Sequence, residues 1–105
     1  MISQRMELIV FQRGTPSEDE HGGQTLSWAT YATRRARVRF GTAEEKREAA
    51  QTGGHQTATF ECERSSILDA VTLKDRISYL GSAWDLAEIA PLDRRTIRFT
   101  GVRKL

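Results

Sequence analysis

The sequence holds one cysteine, two prolines and two histidines, and its aromatic residues make up only 8% of the chain. The lone Cys62 excludes an intrachain disulfide framework and a zinc cage built from several thiolates. His21 and His55 lack the i, i+4 spacing of a helical zinc pair. No apolar run approaches the roughly 18 residues of a membrane-spanning helix, so no membrane partner is expected. Neither a Gly-x-Ser-x-Gly elbow nor a Gly-rich phosphate loop is present. Hydrophobic residues reach 38%, below the usual ~45–50%, although that average also counts glycine. A chain of 105 residues makes a single domain, here residues 1–105. At that size folding buries about 65% of the unfolded surface, so the core is small. Met1 to Met6 carries one Arg and too short an apolar stretch for a secretory signal, which sets the expectation of cytosolic synthesis.

What the chain does have is charge. Charged residues are 29% of it, with a net charge of only +2. Of the 16 basic residues 13 are Arg, the side chain suited to carboxylate and phosphate forks, although a GC-rich genome would give the same excess without a functional cause. Arg34, Arg35, Arg37 and Arg39 crowd together.

Apolar residues fall into patterned clusters. Met6 to Arg13 reads as a first strand. Gly14 to Gln24, with Pro16, three acids and Gly22-Gly23, reads as a loop. From Thr25 to Phe40 the chain is extended, with Ala36, Val38 and Phe40 alternating against Arg35, Arg37 and Arg39. Trp28 and Tyr31 are expected to anchor this strand to the core. Thr42-Ala43-Glu44-Glu45 is a capping box that opens a helix to about Gln51, with Gly53-Gly54 as the stop. That helix has no apolar residue larger than alanine and so no face to dock on a core of its own. Gln56 to Arg64 is a further strand with Ala58, Phe60 and Cys62 on one face. Ser65 to Asp75 is a connection with an apolar patch at Ile67, Leu68 and Val71. Arg76 to Leu80, Ala83 to Ala90 and Arg95 to Arg103 complete the strands. Gly81-Ser82 forms a turn, and a phase change between Leu86 and Ile89 predicts a bulge. The expected core comprises Trp28, Val38, Phe60, Cys62, Ile77, Trp84, Leu86, Ile97 and Phe99. The fold class is mainly β: a small antiparallel barrel or sandwich of about six strands with one short helix, Thr42–Gly54 being an inserted helix and loop.

Catalysis finds no support in these residues. Glu18-Asp19-Glu20-His21 is a contiguous run in a Gly-rich loop, whereas metal ligands must converge. Cys62 falls on an apolar strand face, not in the electropositive, partly exposed setting of a nucleophile. No enzyme, cofactor, metal or small-molecule substrate is expected.

The order of elements carries a resemblance. Leu8-Ile9-Val10-Phe11-Gln12-Arg13 is followed by a polar loop with Asp19, Gly22 and Gly23. Then come Trp28, Ala36-Arg37-Val38, Glu44-Glu45, and a strand ending near Glu63-Arg64. Asp75-Arg76-Ile77, Tyr79-Leu80-Gly81, Trp84-Asp85-Leu86 and Asp93-Arg94-Arg95 follow in turn. In order, spacing and length, from about Leu8 to Val102, this resembles the head–tail joining family: head-closure or stopper proteins of long-tailed bacteriophages and related gene transfer agents. The resemblance implies a small β-barrel with a helical segment in a long loop. It also implies a ring, commonly of twelve copies, at the head–tail connector of the virion. Portal or adaptor protein would lie above and tail terminator or tail tube protein below, with packaged double-stranded DNA possible in the channel. Such a ring closes the filled head and receives the tail.

In a ring each subunit meets different surfaces on its two sides. Thr42, Glu44, Glu45, Arg47 and Glu48 are therefore candidates for an intersubunit or lumen element, and Arg35, Arg37 and Arg39 for an interface with a neighbour's acids or with DNA. The supply of acids and the need for DNA to leave favour the neighbour; a solvated strand face is the third reading. Adaptor and tail-completion roles in the same connector stay open. A small nucleic-acid-binding barrel of the OB or SH3-like type is the competing class. It would need exposed aromatics between the basic residues, and here the aromatics fall on the opposite faces.

Overall fold

Side-chain alternation with period two carries through into six strands. The computed structural model describes residues 6–41 and 54–104. In chain order the elements are β1 (Met6–Glu18), β2 (Gln24–Phe40), β3 (His55–Glu63), a single-turn helix α1 (Ser66–Asp69), β4 (Arg76–Tyr79), β5 (Ser82–Pro91) and β6 (Thr96–Lys104). Neighbouring strands are antiparallel in the order β1-β2-β3-β6-β5-β4, and β1 also pairs with β4, which closes the sheet into a barrel. The chain thus has the expected mainly β, antiparallel barrel fold.

The barrel is filled from every strand. Ile9 and Phe11 of β1, Ala36 of β2, Phe60 of β3, Ile77 of β4, Trp84 of β5 and Ile97 and Phe99 of β6 are buried. Aromatic rings meet edge to face: Phe11 and Phe99 at 4.9 Å between centroids, Phe60 and Trp84 at 5.8 Å, Phe60 and Tyr79 at 5.7 Å. Such pairs add about 0.5–1.5 kcal/mol each beyond area burial. Gly101 makes room for this stack: a Cβ there would lie 3.0 Å from Phe60 Cε2 and 3.1 Å from Trp84 Cβ. Cys62 and Leu86 are also buried, and Val38 packs half-buried against the cluster.

Trp28 corrects the expectation. It is half-buried and outside the core cluster, because β2 leaves the barrel before reaching it. Phe11 pairs with Ala32 but Gln12 with Thr30, so Tyr31 is an extra residue at a bulge. Beyond that bulge β1 and β2 continue as a two-stranded ribbon, and β4 reaches β1 only from Val10 to Gln12. The segment read as a loop, Gly14 to Gln24, is therefore mostly ribbon, with a turn only at 19–23. Pro16 fits because β1 is an edge strand there, where proline is tolerated.

The described residues contain one short helix. The predicted helix at Thr42 to Gln51 lies outside the described residues, and α1 falls within the segment read as a connection. Ser65 caps it, its Oγ accepting from Leu68 N at 3.2 Å, and Leu68 and Val71 enter the core while Ile67 stays exposed. The bulge in β5 is present, since Leu86 pairs with Gly101 and Glu88 with Thr100. Between β4 and β5 the two loop residues are Leu80 and Gly81, both at positive φ (52° and 72°). That is one residue earlier than the turn read from sequence.

Candidate assembly interface

Three features lie around the core, and the first is an anchor. Arg13 follows Ile9 and Phe11 on the inward side of β1, at the point where the ribbon leaves the barrel. Its Nε donates to Asp75 Oδ1 and a terminal nitrogen to Asp75 Oδ2, both at 3.0 Å, and that nitrogen also donates to Ala70 O at 3.1 Å. The guanidinium lies 4.0 Å over the Tyr31 ring, and Tyr31 Oη donates to Ile67 O at 2.8 Å. Asp75 is buried and accepts a further bond from Thr72 N at 2.8 Å. Burial pushes its carboxyl up, but the Arg13 hydrogen bonds and the Thr72 N–H outweigh that and hold it below its ordinary value. The cluster ties α1 and the following turn to the base of the ribbon. Both carboxylate oxygens of Asp75 are engaged within the chain, which fits a structural role for the pair.

The second feature is the ribbon. On one face Gly14 pairs with Trp28, Pro16 with Leu26 and Glu18 with Gln24; on the other lie Thr15, Ser17, Thr25 and Ser27. The ribbon is therefore amphipathic. Its apolar face is held at the base, where Arg76 stacks 4.0 Å over Trp28 and donates to Gln12 Oε1 at 2.8 Å. Further out, Leu26 is 54% exposed. Gly14, Pro16, Leu26 and Lys74 line an open concavity of ≈ 460 Å³. Asp19 organises the tip: its Oδ1 accepts from His21 N at 2.9 Å and Gly23 N at 2.7 Å. Glu18 and Glu20 stand exposed beside it.

The third feature is the barrel exterior. Arg35, Arg37 and Arg39 are all exposed, on the face opposite Ala36. Arg37 lies 4.0 Å from Glu61 across the β2–β3 pair. Glu61 is opposite Arg98, which reaches Glu88 at 3.3 Å. Charges of alternating sign thus run from β2 to β5. On β1, Leu8 pairs with Arg35 and Met6 with Arg37, and they are 62% and 45% exposed.

Thr42, Glu44, Glu45, Arg47 and Glu48 lie outside the described residues. Sequence reasoning missed the Arg13–Asp75 anchor, because 62 residues separate the partners and no local pattern links them. It missed the ribbon because Gly14 and Pro16 read as breakers. The available signal was Thr15, Ser17, Thr25 and Ser27 alternating with apolar positions on either side of Gly22-Gly23. Cys62 is a core residue whose thiol burial pushes up to about 12.

A family model described as phage head completion protein matches residues 3–100. Among solved structures, a chain from the virion of a native gene transfer agent particle superimposes with a TM-score of 0.67 at 18% identity, with 96% of each chain covered. A protein from Shigella flexneri 2a, solved in solution, does so with a TM-score of 0.61 at 17% identity, covering 96% of this chain and 95% of its own. No curated protein sequence matches the chain. The likeness to the solved structures agrees with the barrel described above, and the family match extends over both ribbon strands, the anchor and the first half of β6: the chain belongs to the phage head completion protein family, structural components of the virion.

Proposed function

We propose that this protein forms a ring at the head–tail connector that closes the DNA-filled head and offers the tail its docking surface. The observation that carries this reading is the ribbon. A two-stranded ribbon is marginally stable in water on its own, and this one projects from the barrel with an apolar face uncovered. Such an element suits a subunit completed by its neighbours. The barrel exterior supports the same reading. Its charges alternate in sign from Arg37 through Glu61 and Arg98 to Glu88, whereas a surface made to grip phosphates would be basic throughout. Arg35 and Arg39 are thus assigned to protein contact in preference to DNA. Thr42, Glu44, Glu45, Arg47 and Glu48 are proposed to face a neighbouring subunit or the channel. The partners are further copies of the chain, a portal or adaptor protein above and a tail terminator or tail tube protein below.

Deleting the gene from the producing strain and imaging the particles tests the role. DNA-filled heads that lack tails and lose their DNA are expected. Intact tailed particles would overturn it.

A further inference from the structure

The ring reading leaves open which surfaces meet. On that reading, we propose that the apolar face of the ribbon of one copy seats on the Met6–Leu8 strip of the next, with Glu18 and Glu20 of the first against Arg35 and Arg39 of the second.

The two surfaces complement each other in chemistry. The ribbon face has an apolar centre, Pro16 and Leu26, and an acidic rim, Glu18 and Glu20. The barrel strip has an apolar centre, Met6 and Leu8, bordered across the strand pair by Arg37 and Arg35. Arg37 lies 4.0 Å from Glu61, and among the described residues no ion pair engages Arg35 or Arg39. An apolar centre inside a charged rim is the usual anatomy of a specific protein contact.

A chain cannot make this contact with itself. The ribbon tip and Arg35 lie on the same continuous strand, eleven residues apart from Gln24, or about 36 Å at ~3.3 Å per residue. The ribbon also leads away from the barrel. The contact therefore joins two different patches on two copies, the head-to-tail arrangement from which rings are built when the rotation between copies closes.

Leu80, in the turn after β4, is a further exposed leucine that a partner would cover. It is 67% exposed and holds a positive φ of 52°, a conformation that disfavours leucine and that asparagine would fill readily in this turn. The β1–β4 pairing ends at Val10 and Ser78 and β4 ends at Tyr79, so Leu80 stands in the turn just beyond that edge. An exposed leucine at a position that disfavours it is explained if a partner covers it.

The test uses assembled particles carrying the full chain. Leu8→Cys with Leu26→Cys in one chain should give, on oxidation, a ladder of disulfide-linked multimers on a denaturing gel, and either substitution alone should give none. Both sites are exposed, so folding is retained, and the native Cys62 is buried. In parallel, Glu18→Lys with Glu20→Lys, or Arg35→Glu with Arg39→Glu, should each lower the yield of tailed particles at least tenfold, and all four together should restore it. Asp19 is left intact because it holds the turn. Multimers with rescue support the contact. Absence of multimers with undiminished particle yield would overturn the contact and leave the connector role standing. Loss without rescue would overturn the charge pairing. Failure of the connector role itself shows separately, as normal particles after gene deletion.

Discussion

Asp75 is the residue on which the most local structure converges. It holds Arg13 by a two-pronged ion pair and accepts the Thr72 N–H from within the barrel end. Asp75→Ala should cost about 2 kcal/mol, the order expected when groups lose a buried charged partner, and a urea midpoint measurement checks it. The pH dependence follows from the sign of the shift. The folded-state carboxyl is held below its unfolded value of about 3.9. Its contribution is therefore complete above that value and is lost as pH falls through the lower folded value. Asp93 accepts from Arg95 N and Thr96 N, is lowered by those bonds, and acts in the same direction. Urea midpoints should thus decline below about pH 4, less steeply in Asp75→Asn. Gly101→Ala should cost about 1–3 kcal/mol through overpacking against Phe60 and Trp84, again read by urea unfolding. Cys62, buried and with its thiol pushed up to about 12, should react with a thiol reagent at neutral pH only after unfolding. Cys62, Phe60 and Trp84 were legible as core from alternation alone. Asp75 and Gly101 were not, because what fixes them is a neighbour distant in sequence.

At the scale of elements, the six strands could be read wherever one face is wet and the other dry. Even the β5 bulge announced itself through the phase change from Leu86 to Ile89. Legibility ended where β1 and β2 leave the barrel. A ribbon with both faces near solvent carries turn-forming residues without penalty, so Pro16 and Gly14 signalled a loop and Trp28 signalled core. The four-residue α1 was hidden for a different reason: one capped turn anchored by Leu68 is too short to show a period. The β4–β5 hairpin gives a test at this scale. Leu80→Asn should raise stability by about 1 kcal/mol, because it relieves a left-handed leucine. A thermal melt should then shift upward by about 4–8 °C. If Leu80 also serves the subunit contact, the same variant should lower the yield of tailed particles.

For the whole molecule, the modest hydrophobic fraction and abundant charge find a common explanation. The barrel encloses a small core, and part of the apolar surface left exposed lies on the ribbon, at Leu26, and on the β1 strip, at Met6 and Leu8. On the proposed contact, folding and assembly draw on different parts of one short sequence. Contacts with charged rims weaken as salt rises, since screening shortens to about 3 Å at 1 M. Isolated connectors should accordingly dissociate sooner in high salt, while the urea midpoint of the single chain changes little. The most direct measurement is a reconstruction of the connector in intact particles by electron cryomicroscopy. The expected result is a closed ring of this barrel between head and tail, with each ribbon lying on the Met6–Leu8 strip of the next copy. Finding the barrel as isolated copies, or elsewhere on the particle, would contradict it.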